Sequence, residues 1–207
     1  MPFSEYMIEE LSDWLSSELS QKRYEHTLGV VRAALSLSEF FSEISKSEIS
    51  AAALLHDVAK ELSPDEQIRL ARAYLGESLD AELSSPQVIH ALAAPARILE
   101  RHPQFATPAV LSAVLKHTTG SEDMSVFDKI IFLADYIEDG RTYNGCVLLR
   151  EKLFRELNSA KTMKEREDAL NRACLYEIDE TVASLARRGL TVDSKTLRAR
   201  NAISSLI

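Results

Sequence analysis

The chain has 207 residues, of which 45% are hydrophobic and 27% charged, with 6 glycines and 6 prolines. That balance fits one globular domain whose core is large enough to need no staples, and it excludes a disordered, collagen-like or disulfide-stapled chain. Lys plus Arg number 24 against 32 Asp plus Glu, a formal net charge of −8; this argues against tight binding to polymeric nucleic acid, which needs many cationic contacts to phosphates, but leaves room for a small nucleotide in a local pocket.

Apolar residues recur at helical rather than alternating spacing almost throughout. The first predicted helix covers about 4–18. It lies in a stretch with Glu5, Glu9, Glu10, Asp13 and Glu18 and no Lys or Arg up to Leu19, the opposite of a secretory or organellar leader. Its Met7, Ile8, Leu11, Trp14 and Leu15 form a stripe that reads as core. Helices over about 21–43 and 47–59 follow, carrying His26 and the His56-Asp57 pair. Ser63-Pro64-Asp65-Glu66 combines a cap, a proline at the first helical position and an acid three residues after the cap, so a helix over about 64–75 should end at Gly76. The next, about 86–101, carries His90 and is expected to kink or split at Pro95.

Thr107-Pro108 opens a helix over about 108–118 that carries His117 and must stop near Gly120, and one over about 125–138 carries Asp135. Cys146 and Cys174 stand without CxxC spacing or further partners, so neither a zinc site nor a disulfide framework is indicated and a reducing cytoplasm fits best. Three helices complete the chain, about 146–157, 163–188 (opened by Thr162 with Glu165 and closed at Gly189) and 194–204 (capped by Asp193). No apolar run reaches the roughly 18 to 20 residues of a membrane span. The expected fold is all-α, a single bundle over residues 1–207 with a core of about 18–145 and helices from 146 onward packed on it. The expected location is the cytoplasm, with no membrane partner.

Five histidines occur, at 26, 56, 90, 102 and 117. Asp57 sits in an Ala/Leu/Val-rich helix, and Asp135 in the run Ile130-Ile131-Phe132-Leu133-Ala134-Asp135-Tyr136-Ile137. Carboxylates so placed should be buried, and a buried carboxylate is costly unless it is paired or binds a cation. Neutral imidazoles cannot cancel two carboxylate charges, whereas one or two metal ions can, and mixed His/Asp ligation suits Fe, Mn, Co, Ni or Zn. Taken singly, each histidine reads as an ordinary core residue. The order His26, His56-Asp57, His90, His117, Asp135, each element on a different predicted helix, is what points to a metal centre. His102, before Pro103 at a helix end, belongs to no such pattern.

These segments resemble the HD superfamily of metal-dependent phosphohydrolases and, within it, the YqeK family. The likeness rests on Arg23-Tyr24-Glu25-His26-Thr27, Leu54-Leu55-His56-Asp57-Val58-Ala59-Lys60, Ile89-His90-Ala91, Lys116-His117-Thr118-Thr119-Gly120 and Asp128 to Glu138 followed by Arg141. The Thr-Thr-Gly and the Ala-Asp-Tyr-Ile-Glu segment narrow it beyond the superfamily. The resemblance implies an HD-domain helical bundle of about nine or ten helices. It also implies a symmetrical diadenosine tetraphosphate hydrolase that releases two ADP, with iron as cofactor. The stretch Ala91-Leu92-Ala93-Ala94-Pro95-Ala96 and the pair Asp139-Gly140 depart from the family's usual prolines and glycines, outside the ligand positions.

Carried over residue by residue, the resemblance implies one metal at His26, His56, Asp57 and Asp135 and a second at Asp57, His90 and His117, with Asp57 as the bridge. Because adjacent helical residues point about 100° apart, the backbone must adjust for His56 and Asp57 to converge. Six ligand side chains leave several coordination positions open on two ions, as a catalytic centre requires, and a shared water between cations about 3.5 to 4 Å apart becomes a hydroxide nucleophile at neutral pH. Asp57 and Lys60 are the expected catalytic residues. Arg23, Lys60, Thr118, Thr119, Gly120 and Arg141 are the expected substrate contacts, and Tyr136 or Tyr143 could stack on adenine. The expected partner is a small nucleotide; a homodimer stays open. Two other readings remain: an HD phosphohydrolase acting on guanosine tetraphosphate, a deoxynucleoside triphosphate or a cyclic dinucleotide, and a non-catalytic nucleotide-binding helical module.

Overall fold

The computed structural model describes residues 3–76, 79 and 86–207. Among these, ten α-helices and no strand occur: α1 Glu5–Glu18, α2 Gln21–Ser38, α3 Lys46–Leu55, α4 Pro64–Leu75, α5 Ile89–Arg101, α6 Pro108–Lys116, α7 Val126–Ile137, α8 Asn144–Ser159, α9 Met163–Arg187 and α10 Ser194–Ser204. The all-α expectation holds. No helix among the described residues is long and apolar enough to cross a membrane.

Local chemistry sets most of the helix starts. The side chains of Ser63, Thr107, Ser125 and Thr162 accept hydrogen bonds from backbone N–H groups of the first turn, with prolines at the first position of α4 and α6. Ser125 with Asp128 and Thr162 with Glu165 close full capping boxes, each satisfying two donors that a helix start leaves open. Gly76 ends α4 at φ 62°, a conformation that costs a glycine nothing.

Two ends fall well short of the sequence reading, and for one reason. The second helix stops at Ser38 rather than near 43 and the third at Leu55 rather than near 59. After α2 and α3 the chain runs on in i→i+3 turns, with Phe41 N–H bonded to Ser38 O, Val58 N–H to Leu55 O and Lys60 N–H to Asp57 O. Such tight turns keep an almost helical spacing of apolar residues, so periodicity alone does not separate them from α-helix. Pro95 does not split its helix, which runs unbroken from Ile89 to Arg101, while residues 86–88 form a separate 3-10 turn.

Helix α2 packs against α3 and α7, α6 against α3, α5 and α7, and α9 lies on α7 with α8 and α10 on it. The main core includes Leu11, Leu37, Phe41, Leu54, Leu55, Ile130, Ile131, Leu133 and Leu170, all with almost no exposure. A smaller cluster, with Leu70, Leu92 and Ala96, joins α4 to α5. Helix α7 carries nine buried residues out of twelve; Asp135 is not one of them, its side chain keeping 22% exposure where the last turn meets the cleft, so it is less buried than its apolar run suggested.

Candidate metal centre

Five elements bring their polar residues to one place. His26 comes from the second turn of α2, His56 and Asp57 from the end of α3, His90 from the start of α5, His117 from the end of α6 and Asp135 from the last turn of α7. Two sets of ligand atoms lie within 4.8 Å of one another, His26 with His56 and Asp57, and Asp57 with His90 and His117. Asp57 belongs to both. Its Oδ1 lies 3.2 Å from His90 Nε2 and 3.5 Å from His117 Nε2, and its Oδ2 lies 3.5 Å from His56 Nε2. Asp135 Oδ1 stands 3.1 Å from His26 Nε2.

The tightened turn after α3 produces the convergence of adjacent residues. His56 still has α-helical dihedrals, but Val58 and Lys60 bond three residues back rather than four, and the change of pitch swings Asp57 toward the same centre as its neighbour. His56 and His117 then use one device. Each donates its Nδ1–H over 2.7 Å to the carbonyl three residues earlier, Ala53 and Val114. That bond fixes the tautomer and leaves the Nε2 lone pair facing the cluster.

His26 is held by a carboxylate that the sequence reading did not single out. Its Nδ1 lies 3.2 Å from Oε1 of Glu138, a residue 4% exposed whose Oε2 accepts from Gly140 N–H at 2.6 Å. Gly29 makes the space, since a Cβ there would lie 2.4 Å from Glu138 Oε2. From α8, Arg150 donates to the carbonyls of Ile137, Glu138 and Arg141 at 2.5, 2.6 and 3.1 Å, pinning the turn that carries Glu138. The sequence showed this acid only as the last residue of the Ala-Asp-Tyr-Ile-Glu segment, with no sign of its burial, and nothing there pointed to Arg150.

The expected substrate contacts divide. Arg23 Nη1 donates to Asp57 Oδ2 at 2.7 Å and Arg141 Nη2 to Asp135 Oδ1 at 2.5 Å. Lys60 Nζ lies 3.2 and 3.0 Å from the two ring nitrogens of His90. Thr118 Oγ1 is 3.3 Å from His90 Nε2 and 3.0 Å from His117 Nε2. Thr119 instead turns inward and bonds Gly120 O at 2.9 Å, and Gly120 forms the helix stop at φ 67° against Ala199 and Met124. A cleft of about 650 Å³ is lined by Arg23, His26, Arg32, Glu138, Arg141 and Tyr143 among others. His102 packs on the Trp14 ring, at 4.2 Å between centroids, away from this group.

The electrostatics follow from burial and mutual charge. Burial alone would raise the Asp57 carboxyl, but the surrounding imidazoles of His56, His117 and His90 hold it well below the usual range. Asp135 is likewise held low against its burial, by Arg141, His26 and His56. Burial works against protonation of His56, yet the Asp57 and Asp135 carboxylates raise it. Burial lowers Lys60, and it brings His90 down to about 4, with Lys60 and His117 adding to the effect.

The donor set fits a divalent cation. The Nε2 atoms of His26 and His56 are buried and have no hydrogen-bond partner among the described residues, a costly arrangement for two polar atoms aimed beside an ionised carboxylate unless a cation completes it. The ring nitrogens on the far side are tied to a backbone carbonyl or a carboxylate, the support that metal-ligating histidines commonly have.

Comparison with known proteins agrees. The HD domain family model matches residues 23–140, which run from Arg23 through every one of these six side chains. The chain is 32% identical over 196 residues to the symmetrical bis(5'-nucleosyl)-tetraphosphatase of Staphylococcus aureus, covering 94% of this chain and 93% of that one. It is 30% identical to the protein of the same description from Bacillus subtilis over 93% of this chain and 95% of the relative. It is 35% identical to that of Halalkalibacterium halodurans over 69% and 74%. A crystal structure from Clostridium acetobutylicum, described as a predicted HD superfamily hydrolase involved in NAD metabolism, superimposes with a TM-score of 0.80 at 30% identity, covering 95% of this chain and 96% of that chain. Sequence, fold and the buried His/Asp cluster thus lead to one statement: the chain belongs to the HD-domain family.

Proposed function

We propose that this protein hydrolyses diadenosine tetraphosphate, and similar dinucleoside tetraphosphates, symmetrically into two nucleoside diphosphates. The observation that supports it best is one buried carboxylate, Asp57, shared by two groups of imidazoles, in a chain similar over nearly its whole length to two symmetrical tetraphosphatases. We propose two metal ions, iron in the first place, with His26, His56, Asp57 and Asp135 holding one and Asp57, His90 and His117 the other. When bound, such a pair supplies Lewis acidity and an ionised water for attack on a phosphoanhydride.

The chain's own residues do the rest. The carboxylates stay ionised, and the Nδ1–H bonds of His56 and His117 to backbone carbonyls turn their Nε2 atoms toward the cluster, the orientation that ligation needs. Arg23, Arg141 and Lys60 ring the cluster, and a tetraphosphate chain needs this charge beyond what the ligands hold. The two guanidiniums can grip phosphate oxygens at two points each. Lys60, beside His90, is placed to stabilise the oxygen that leaves with the departing diphosphate. Thr118 offers a hydroxyl at the other side.

The test is elemental analysis and product chromatography on one sample. The expected result is stoichiometric iron and ADP as sole product from diadenosine tetraphosphate; AMP plus ATP would contradict the symmetrical cut. A panel of guanosine tetraphosphate, deoxynucleoside triphosphates and cyclic dinucleotides separates the proposal from its enzymatic alternatives.

A further inference from the structure

A second cleft, of about 470 Å³, lies on the other side of Arg141 and Tyr143 from the one that Arg23 lines. Its inner wall is His117, Thr118 and Asp135, and its outer wall is the C-terminal half of α9. From that wall Glu177, Thr181 and Ser184 line the cleft, at spacings of four and three residues that put them on one helix face. Glu177 is 7% exposed, and its Oε2 is buried with no hydrogen-bond partner among the described residues. An unpaired buried carboxyl oxygen weakens a fold unless a ligand completes it.

The cleft begins at the cluster, where the phosphates must sit, continues along the carboxyl and hydroxyl groups of Glu177, Glu180, Thr181 and Ser184, and only at its far end reaches Arg187 and Arg188. A carboxyl group, neutral or ionised, is a good hydrogen-bond partner for hydroxyl or amino groups. We propose that this cleft seats one nucleoside half of the substrate and that Glu177 is a specificity-determining residue, hydrogen-bonded to a hydroxyl or amino group of that nucleoside. This rests on reading the cluster as a nucleotide phosphohydrolase. Burial, reinforced by Asp135 and opposed by Arg141, pushes the Glu177 carboxyl well above the usual range, so that it can donate as well as accept.

Equilibrium binding of ADP, 2′-deoxyADP and pyrophosphate to the full chain, with the metal it carries on purification, tests this. Glu177→Leu removes the pairing at nearly constant volume, and because it also removes an unsatisfied buried group it should fold at least as stably; Glu177→Met serves should the leucine not fold. Affinity for ADP should fall about tenfold or more in either apolar variant, recover largely in Glu177→Gln, and stay unchanged for pyrophosphate in all three. A loss seen with ADP and absent with 2′-deoxyADP identifies the ribose 2′-hydroxyl as the partner, and an equal loss with both identifies the rest of the nucleoside. Unchanged ADP affinity in the apolar variants, or an equal loss for ADP and pyrophosphate, overturns the assignment. Since binding is read without turnover, a wild-type protein that binds ADP in this pattern but leaves diadenosine tetraphosphate intact would overturn the proposed activity alone.

Discussion

Asp57 has no freedom to be anything else. One carboxylate faces His56, His90, His117 and Arg23 from a position 3% exposed, and removing it leaves imidazole lone pairs crowded together without a counter-charge. Asp57→Ala is therefore expected to lose bound metal and at least about a thousandfold in kcat, through loss of the metal chemistry; full metal content with unchanged turnover would refute the metal-centred mechanism. Glu138 acts one bond further out, through His26. Glu138→Gln should weaken metal affinity about 10- to 100-fold, measured by competition with a chelator, while the helical circular dichroism stays intact. At Gly29 even a methyl group would lie 2.4 Å from the Glu138 carboxylate, so Gly29→Ala should displace that side chain and weaken metal binding in the same assay.

Among the elements, the segment after α3 shows why a helix must end for this site to exist. A continued α-helix would send His56 and Asp57 in different directions, whereas the i→i+3 turns through Lys60 bring them to one centre. The turn after α7 depends on another element altogether: Arg150 of α8 donates to three carbonyls around it. A hydrogen bond from a charged group contributes about 1.5 to 3 kcal/mol, and three bonds from one partly exposed guanidinium do not add, so Arg150→Met should lower stability by roughly 2 to 3 kcal/mol and also weaken metal binding, through Glu138 and His26. Thermal denaturation and chelator competition read the two effects separately. Helix starts were plain in the sequence because Ser63, Thr107 and Thr162 act within one turn of chain. The ends of α2 and α3 were not, because a tight turn and an α-helix present the same apolar spacing.

Over the whole molecule, the buried charges set the response to pH. Burial, with Lys60 and His117, holds His90 at about 4, against 6.5 for an ordinary histidine. Between those values the unfolded metal-free chain binds more protons than the folded one, so this contribution is present at neutral pH and lost as pH falls through the window, by roughly 3 kcal/mol. Asp57 and Asp135, held low, act in the same sense at more acidic pH. His56 acts oppositely: its pKa is raised, so its contribution is fully present below the unfolded value and fades as pH rises through the folded one. The chelator-stripped protein should therefore lose thermal stability from pH 6.5 to 4, and His90→Asn should flatten that loss; an equally steep loss in the variant would contradict the assignment. Metal content should also drop on acidification, because the imidazoles must be neutral to ligate.

The sequence by itself determined the helical class, most helix starts, and which imidazoles and carboxylates stand embedded in apolar helices, because caps and periodicity act over a few residues and a polar side chain in an apolar run is conspicuous wherever it folds. Only the tertiary structure decided that Asp57 is reached by three histidines from three helices, that Thr118 faces the cluster while Thr119 turns inward, and that Glu138, Arg150 and Glu177 bear on the site. Most of these residues stand far apart along the chain, and what joins them is the packing of α2, α3 and α5 to α9, a geometry that no local pattern encodes.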